Sequence, residues 1–356
     1  MPLPPEATGH QIAGVAPRAL RLVDRVPDLD VDELVTRLVP PRRFASVRFE
    51  TYVPSPEHQS QAVALAAMER FAADLIERER PAGRRFAWRR GDVAQEGAPA
   101  RYLDGGYGVG KTHLLAALWH AAPPPKAYLT FAELTALIGF VGMDAAVAAL
   151  RGQRLLCIDE FELDDVANTL MTVTFLRSII PAVRVATTSN ALPDRLGEGR
   201  FSADDFRREI AAIAAHFEVV TIDGPDYRRR ARVVADALDD STLEQLVAEM
   251  PGPIAVDDFD ALLVHLRRVH PVRFGALLDG LDAVVVRGLH PIADQGNALL
   301  FCALVDELYD AEVKFAVSGC GVGELFPESY RQGGYRKKYG RCESRLAAML
   351  AELEGE

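Results

Sequence analysis

The pattern of apolar and polar positions changes character at about residue 98. Before it, from Pro56 onward, apolar residues recur at helical spacing and predict one long helix. After it, short apolar runs alternate with helical patterns. These runs are ARYLD, KAYLTF, RLLCIDEF, AVRVATTSN and FEVVTID. Continuous apolar runs are typical of strands buried on both faces of a parallel sheet, and their alternation with helices predicts an α/β doubly wound fold.

A more mixed pattern follows residue 224. AVDDFDALLVHLRRV predicts an amphipathic helix, AVVVRGL and KFAVSG predict strands, and NALLFCALVDELYDAEV predicts a helix between them. We interpret this region, 225–356, as a C-terminal α+β module. The core is expected at 96–224, and 1–95 is expected to hold a loose arm and a helical segment. Residues 1 to about 30 are rich in proline and small residues and are expected to be the loose part.

The amino-acid composition and net charge limit the kinds of partner that we expect the chain to bind. The chain has 356 residues, of which 49% are hydrophobic, so it can bury more than one core and is not globally disordered. Its net charge of -11 argues against general nucleic-acid binding. Two basic segments interrupt this background, RERPAGRRFAWRR at 78–90 and YRQGGYRKKYGR at 330–341. They suit single-stranded nucleic acid, anionic lipid headgroups or an acidic protein, with solvated loops as the alternative.

Cysteine usage and the N-terminus bear on the compartment. The four cysteines lie far apart without a C-x-x-C pair, so we expect neither a zinc site nor disulfides, and we expect a reducing cytoplasm. MPLPPEATGHQIAG lacks the basic and apolar regions of a signal peptide. No run of about 18 apolar residues occurs, so we expect no membrane span, while peripheral membrane contact stays open.

Glycines concentrate where the first strand of the core gives way to a helix. The segment fits the phosphate-binding pattern G-x-x-x-x-G-K-[ST]. It comprises Gly105, Gly106, Tyr107, Gly108, Val109, Gly110, Lys111 and Thr112. Bare backbone lets N–H groups curl around phosphates, and the helix adds its N-terminal dipole. Lys111 is expected to reach the β- and γ-phosphates of ATP and Thr112 to hold Mg²⁺. His113 is a candidate at the edge of the nucleotide, with a packed helix position as the alternative.

Polar residues end the next two buried strands. Asp159 ends the strand in LLCIDEF and is expected to hold Mg²⁺ through water, while Glu160 would orient and deprotonate the attacking water. Asn190 ends RVATTSN and would position the same water, with Thr188 and Ser189 as substitutes. An adjacent acidic pair favours hydrolysis over phosphoryl transfer to a small molecule.

The order of glycine loop, IDE and TSN resembles the AAA+ class of ATPases. CIDEFELDDVANTLM, VATTSNALPDRL and LVDELYDAEVKFAVSG further resemble the AFG-one-like ATPase family, which includes cell-division ATPases of the ZapE type. PPRRFASVRFETYVPSPEHQSQAVA and GRCESRLAAM extend the resemblance from about Pro40 to Met349. The resemblance implies a three-layer P-loop ATPase with ATP and Mg²⁺ that works as a homo-oligomer. Its protein partners would belong to the division ring or, as in mitochondrial relatives, to protein quality control at the inner membrane.

The resemblance also directs attention to two arginines. The family usually carries G-L-Q-R after the TSN strand, and this arginine is thought to reach the ATP of a neighbouring subunit. Here its position falls on Ala203, which leaves Arg200 as the nearest candidate arginine finger, with Arg207 and Arg208 behind it. Arg345, within the match to R-x-x-S-R-L, would sense the γ-phosphate of its own subunit, with a surface arginine as the alternative.

Three other functions fit parts of the sequence. GKTHLLAAL also resembles helicase loaders such as DnaC and IstB, but these usually end soon after the ATPase core, whereas about 130 residues follow Gly224 here. The missing Q-R arginine leaves open a scaffold that binds ATP and barely hydrolyses it. A small-molecule kinase fits the order of the DEF and TSN segments least well.

Overall fold

Two parallel sheets organise the chain, of which the computed structural model describes residues 20–77, 100–162, 166–190, 207–226 and 238–354. Within these residues the first sheet has five strands. They are Ala100–Gly105 (β1), Lys126–Thr130 (β2), Leu155–Asp159 (β3), Arg184–Ser189 (β4) and Phe217–Ile222 (β5). Their order is β2-β3-β4-β1-β5, and all neighbours pair in parallel. The chain leaves the adjacent strands β1 and β4 in opposite directions, which opens the kind of crevice where α/β folds bind ligands.

Helices cover both faces of this sheet. They are Val31–Thr36 (α1), Gln59–Glu77 (α2), Lys111–Ala121 (α3), Phe131–Val141 (α4), Met143–Leu150 (α5), Val166–Ile179 (α6) and Arg207–Ala214 (α7). Successive residues of the buried strands enter different cores. Tyr102 and Leu156 pack in the core that α4, α5 and α6 cover, whereas Leu103 and Leu155 pack in the core that α2 and α3 cover. This three-layer arrangement confirms the predicted fold class.

The second sheet belongs to the C-terminal region. Its strands are Ile254–Asp258 (β6), Ala283–Leu289 (β7) and Lys314–Gly319 (β8), in that order. The helices around it are Asp240–Glu249 (α8), Phe259–Leu266 (α9), Phe274–Leu277 (α10), Gln295–Asp310 (α11), Glu328–Arg331 (α12) and Arg336–Glu354 (α13). Both strand pairs are parallel, because a helical crossover carries the chain from each strand to the next. The module therefore has an α/β arrangement in its described residues, which differs from the predicted α+β arrangement.

The segment AVDDFDALLVHLRRV does not form the single helix that its periodicity predicts. Its first residues belong to β6, and α9 begins only at Phe259. Asp258 is the N-cap, and its carboxylate accepts the N–H of Ala261 at 3.2 Å. A capping residue thus ends the strand and starts the helix, a boundary that the spacing of apolar residues does not reveal.

The N-terminal segment at 20–25 packs against the edge of the second sheet. Leu20 forms a parallel bridge with Ala255 of β6. The carboxylate of Asp257, which is 2% exposed, accepts the N–H of Leu22 at 2.7 Å. The expectation of a loose arm is therefore wrong for these residues. Short 3₁₀ turns in the described chain are Leu22–Asp24, Arg42–Phe44, Phe49–Thr51, Pro271–Arg273 and Val322–Glu324.

Helix α4 contacts the C-terminal module. Phe140 packs against His270 with ring centroids 4.8 Å apart. At the start of α4, Glu133 forms a capping box with Thr130. Burial raises the pKa of Glu133 to about 7, although the hydrogen bonds from Thr130 favour the ionised form. Burial and the charge of Glu133 together raise the pKa of Glu307 on α11 well above its ordinary value. Burial therefore favours the protonated carboxyl group of Glu133 near neutral pH.

We expect Glu133→Gln to stabilise the protein at pH 8 and much less at pH 5. The pKa of Glu133 in the folded protein lies above its ordinary value of 4.5, so the native state binds more protons than the unfolded chain between these values. Ionisation of Glu133 therefore lowers the free energy of unfolding as pH rises. A neutral amide removes that cost, and with allowance for partial exposure the gain at pH 8 should be about 1–2 kcal/mol. Urea unfolding at both pH values measures it.

Glu33→Gln is the matched control for this prediction. Glu33 holds the same capping-box position in α1, with Asp30 as its partner, but its side chain is exposed. Because its side chain is not buried, Glu33→Gln should not stabilise the protein at pH 8. If Glu133→Gln gave equal gains at pH 5 and pH 8, burial of the carboxyl group would not be the cause.

Candidate functional site

The loop between β1 and α3 requires glycine at two positions. Gly108 and Gly110 have φ angles of 70° and 94°, in the left-handed region. A Cβ atom on Gly108 would lie 1.7 Å from the Asp226 carboxylate, and one on Gly110 would lie 2.6 Å from the Tyr52 ring. Tyr52 also donates its hydroxyl to the carbonyl of Val109 at 3.2 Å. Residues from before and after the expected core at 96–224 therefore pack directly on the loop.

Lys111 ties this loop to the neighbouring strand. Its ammonium group donates to the carbonyls of Gly105 and Gly106 at 2.8 and 2.6 Å, and to Oδ1 of Asn190 at 2.9 Å. Lys111 is only 8% exposed. Because Asn190 directly follows β4, the neighbour of β1, the carboxyl ends of two adjacent strands bring these predicted site residues together.

Hydrogen bonds surround Asp159 at the end of β3. Its Oδ1 atom accepts from the hydroxyls of Thr188 and, at 3.3 Å, of Thr112. Its Oδ2 atom accepts from the buried hydroxyl of Tyr128 at 2.8 Å. Thr188, which the sequence suggests as a substitute for Asn190, orients Asp159 instead. The two predicted metal ligands, Thr112 and Asp159, are therefore neighbours.

Glu160 adopts a backbone conformation that is uncommon outside glycine. Its φ angle is 53°, and its N–H donates to Oδ1 of Asp159 and to Oγ1 of Thr188, both at 3.0 Å. Its carboxylate forms an ion pair with Arg341 of α13. Burial raises the pKa of Glu160, and the charge of Arg341 opposes that shift. The predicted water-orienting residue thus contacts the C-terminal module.

Asn190 begins a second polar connection to α13. Its amide nitrogen donates to Oε1 of Glu162 at 3.0 Å. The other oxygen of Glu162 lies 3.6 Å from the ammonium group of Lys337. A chain of polar contacts therefore runs from Lys111 through Asn190 and Glu162 to Lys337.

His113 lies beside the N-terminal segment. Its Nε2 atom is 3.0 Å from the hydroxyl of Thr51, and its ring centroid is 5.4 Å from that of Tyr52. Burial lowers the pKa of His113, so the neutral imidazole is favoured. These contacts match the packed helix position that the sequence analysis gives as the alternative to a place beside the nucleotide.

The structure describes one of the two arginines that the family resemblance suggests. Arg345 donates to Asp306 of α11 at 2.8 Å and lies 3.5 Å from Asp310, so its guanidinium group is bound to the C-terminal module. Its role as a sensor of the γ-phosphate remains a prediction. Arg200 and Ala203 lie outside the described residues.

Of the two basic segments, the one at 78–90 lies outside the described residues. The one at 330–341 packs into the C-terminal module. Tyr339 is 1% exposed, and its ring stacks on that of Tyr330 with centroids 5.3 Å apart. Arg336 and Lys337 are exposed. Two cations of this segment are therefore exposed, while its Tyr339 and Tyr330 rings contact each other.

Sequence reasoning missed three residues that contact the site. Tyr52 and Tyr128 resemble ordinary core aromatics, and nothing in their local pattern connects them to the loop or to Asp159. Arg341 carried a usable signal, because it lies four positions before Arg345 and this spacing places both on one face of a helix.

The side chains at this edge of the sheet suit ATP and Mg²⁺. The hydroxyl of Thr112 and the carboxylate of Asp159 are oxygen donors of the kind Mg²⁺ prefers, 3.3 Å apart. The buried ammonium group of Lys111 lies within the glycine loop, where it would offer a cation to a bound triphosphate beside the backbone of the loop. The arrangement is therefore compatible with a phosphate-binding site that also holds a metal ion.

Comparison with protein families supports the same assignment. A family model described as AFG1-like ATPase matches residues 32–254 and 252–354. The chain belongs to the AFG1-like ATPase family. The matched ranges of this AFG1-like ATPase include the glycine loop, the acid pair and α13, so the membership confirms the resemblance found in the sequence.

Three solved structures are similar to this AFG1-like ATPase at low identity. The crystal structure of DnaI is 18% identical and covers 54% of this chain and 97% of that chain, with a TM-score of 0.40. The DnaC helicase loader is 19% identical and covers 51% and 99%, with a TM-score of 0.36. A DNA replication initiation factor is 11% identical and covers 86% and 98%, with a TM-score of 0.37. No match was found among curated proteins.

In the described parts of the chain, no single helix is long and apolar enough to cross a bilayer. One bent pair of helices, Phe131–Val141 with Met143–Leu150, has sufficient length and apolar composition when the two are taken together.

Proposed function

We propose that this protein hydrolyses ATP in a Mg²⁺-dependent reaction and uses the cycle to remodel a protein partner. The observation that carries the proposal is the convergence of polar side chains beside the phosphate loop. Lys111 contacts Asn190, and Thr112 contacts Asp159, at the carboxyl edge of one parallel sheet. Membership of the AFG1-like ATPase family supports this choice of reaction.

Each side chain has one role in the proposed reaction. The loop N–H groups and Lys111 bind the β- and γ-phosphates. Thr112 and Asp159 hold Mg²⁺, which when bound neutralises charge that develops on the phosphate oxygens. Asn190 orients the attacking water, and Glu160 accepts its proton.

Release of phosphate from ATP by the full chain tests the proposal. We expect turnover in the presence of Mg²⁺ and its loss when a chelator removes the metal. Binding of ATP with negligible release under all conditions would favour the scaffold. No affinity for ATP in calorimetry with folded protein would contradict the site itself.

We further propose that the protein works as a homo-oligomer in the cytoplasm. The family resemblance supports the oligomer, with Arg200 as the residue that reaches the ATP of the neighbouring subunit. The four cysteines are free thiols, which suits a reducing compartment. In the same assay, phosphate release per chain should rise with protein concentration, and a constant rate would contradict catalysis between subunits.

The partner is proposed to be a protein, such as a component of the division machinery. The helicase-loader alternative requires bases to stack on aromatic rings beside basic residues. In the basic segment at 330–341 the Tyr339 ring is buried, and Tyr335, at 38% exposed, is a single exposed ring beside the cations, which disfavours stacking of successive bases there. Single-stranded DNA is therefore expected to leave phosphate release unchanged, and clear stimulation would favour the loader.

A further inference from the structure

One arginine joins the C-terminal module to the edge of the sheet where hydrolysis is proposed. Arg341 of α13 donates from one guanidinium nitrogen to the carboxylate of Glu160, and from the other to Asp306 of α11 at 2.8 Å. We call this set of contacts the Arg341 bridge. Glu160 and Arg341 are 181 positions apart in the chain. The module thus contacts the residue to which the proposed function assigns proton transfer.

The two sides of the Arg341 bridge differ in how firmly they are held. On the module side, Arg345 donates to Asp306 at 2.8 Å and lies over the Tyr309 ring at 4.9 Å. The Arg345 side chain is 11% exposed, whereas those of Arg341 and Glu160 are 32% and 42% exposed. Partly exposed ion pairs contribute less than buried ones, and breaking a buried pair is costly. The contact with Glu160 is therefore the one that opens first.

The same helix also reaches Asn190 through Glu162. Lys337 lies 3.6 Å from Glu162, which accepts the amide of Asn190. Both residues proposed to handle the attacking water are thus connected to one turn of α13. A displacement of this helix would change the surroundings of both residues together, because Lys337 and Arg341 lie four positions apart and share a helix face.

We propose that Arg341 is a positioning residue that restrains ATP hydrolysis by holding the carboxylate of Glu160, and that movement of the C-terminal module releases it. The inference rests on the proposed function. While the Arg341 bridge is closed, one carboxylate oxygen of Glu160 is bound to α13. When the Arg341 bridge opens, both carboxylate oxygens of Glu160 can accept a hydrogen bond from a water, while Arg345 keeps α13 attached to α11. A protein that binds the module and displaces α13 would thereby raise the rate of hydrolysis.

Arg341→Ala in the full chain tests the proposal. We expect kcat for ATP hydrolysis to rise about two- to fivefold, the range that follows from the modest strength of a partly exposed ion pair. The Kd for ATP should not change, because Arg341 does not contact the phosphate loop in the proposed arrangement. Arg341→Lys keeps the positive charge but loses the guanidinium group that donates to Glu160 and Asp306 at once. Its kcat should therefore lie between those of the parent and Arg341→Ala. Arg336→Ala removes the same charge from an exposed position of the same helix and should match the parent.

Hydrogen exchange gives a readout that does not depend on turnover. Amides of residues 340–345 should exchange faster in Arg341→Ala than in the parent, while those of Arg336→Ala should not. Equal or lower kcat in Arg341→Ala, or unchanged exchange, would overturn the proposal. If the parent itself released no phosphate, the proposed function would fail together with the inference. If the parent hydrolyses ATP and Arg341→Ala is no faster, the inference about Arg341 fails while the proposed function stands.

Discussion

Lys111→Ala should abolish detectable ATP binding or reduce turnover by about 10²- to 10³-fold, the usual cost of removing one aligned electrostatic donor. The ammonium group is buried inside the loop and is held by the carbonyls of Gly105 and Gly106 and by Asn190. These acceptors already direct the cation to the place where the β- and γ-phosphates would lie. Alanine leaves them with no cation and leaves the triphosphate with backbone N–H groups alone. Calorimetry with ATP and phosphate release measure the two effects separately.

Lys314→Ala is the matched control, since it removes the same group from an exposed position on the second sheet. It should leave both ATP binding and turnover as in the parent. A thermal melt of Lys111→Ala must show a folded protein, because the residue is buried. Near-normal turnover in a folded Lys111→Ala protein would remove the assignment of the phosphate site.

The parts of the site that the sequence predicted are those determined by short stretches of chain. The glycine loop, its lysine and the following helix lie within one strand–loop–helix unit. Asp159 and Asn190 follow continuous apolar runs, and parallel strands end at a common edge of the sheet. That rule alone was enough to place Asn190 near Lys111.

The parts that sequence reasoning missed depend on contacts between distant positions. Glu160 and Arg341 are 181 positions apart, and Leu22 and Asp257 are 235 apart. Each residue taken alone has an ordinary role, such as a surface arginine or an acid at a strand end. These contacts depend on tertiary packing, which the periodicity of apolar residues does not encode.

The α+β expectation for the C-terminal module failed for a related reason. The run that becomes β6 and α9 has helical periodicity throughout, so it predicted one element instead of two. Without β6 as a separate strand, the remaining strands gave no repeated strand–helix unit. The N-cap at Asp258 was the only local sign of a boundary, and aspartate is also common inside surface loops.

Glu160→Gln should bind ATP with near-parent affinity and lower kcat by at least about 10²-fold, the usual contribution of a positioned general base. The amide keeps the size of the side chain and can still accept a hydrogen bond from Arg341, but it cannot take a proton from water. Phosphate release and ATP binding, measured on the same preparation, separate the two effects. Glu324→Gln, an exposed glutamate of the C-terminal module, should behave like the parent.

The double variant connects this prediction to the Arg341 bridge. If Arg341 acts only by holding the carboxylate of Glu160, Arg341→Ala should raise kcat in the parent but not in the Glu160→Gln background. The two effects would then be non-additive, as expected for residues that act through one contact. Parent-like turnover in Glu160→Gln would show that another group accepts the proton. An equal gain from Arg341→Ala in both backgrounds would show that Arg341 acts on a different step.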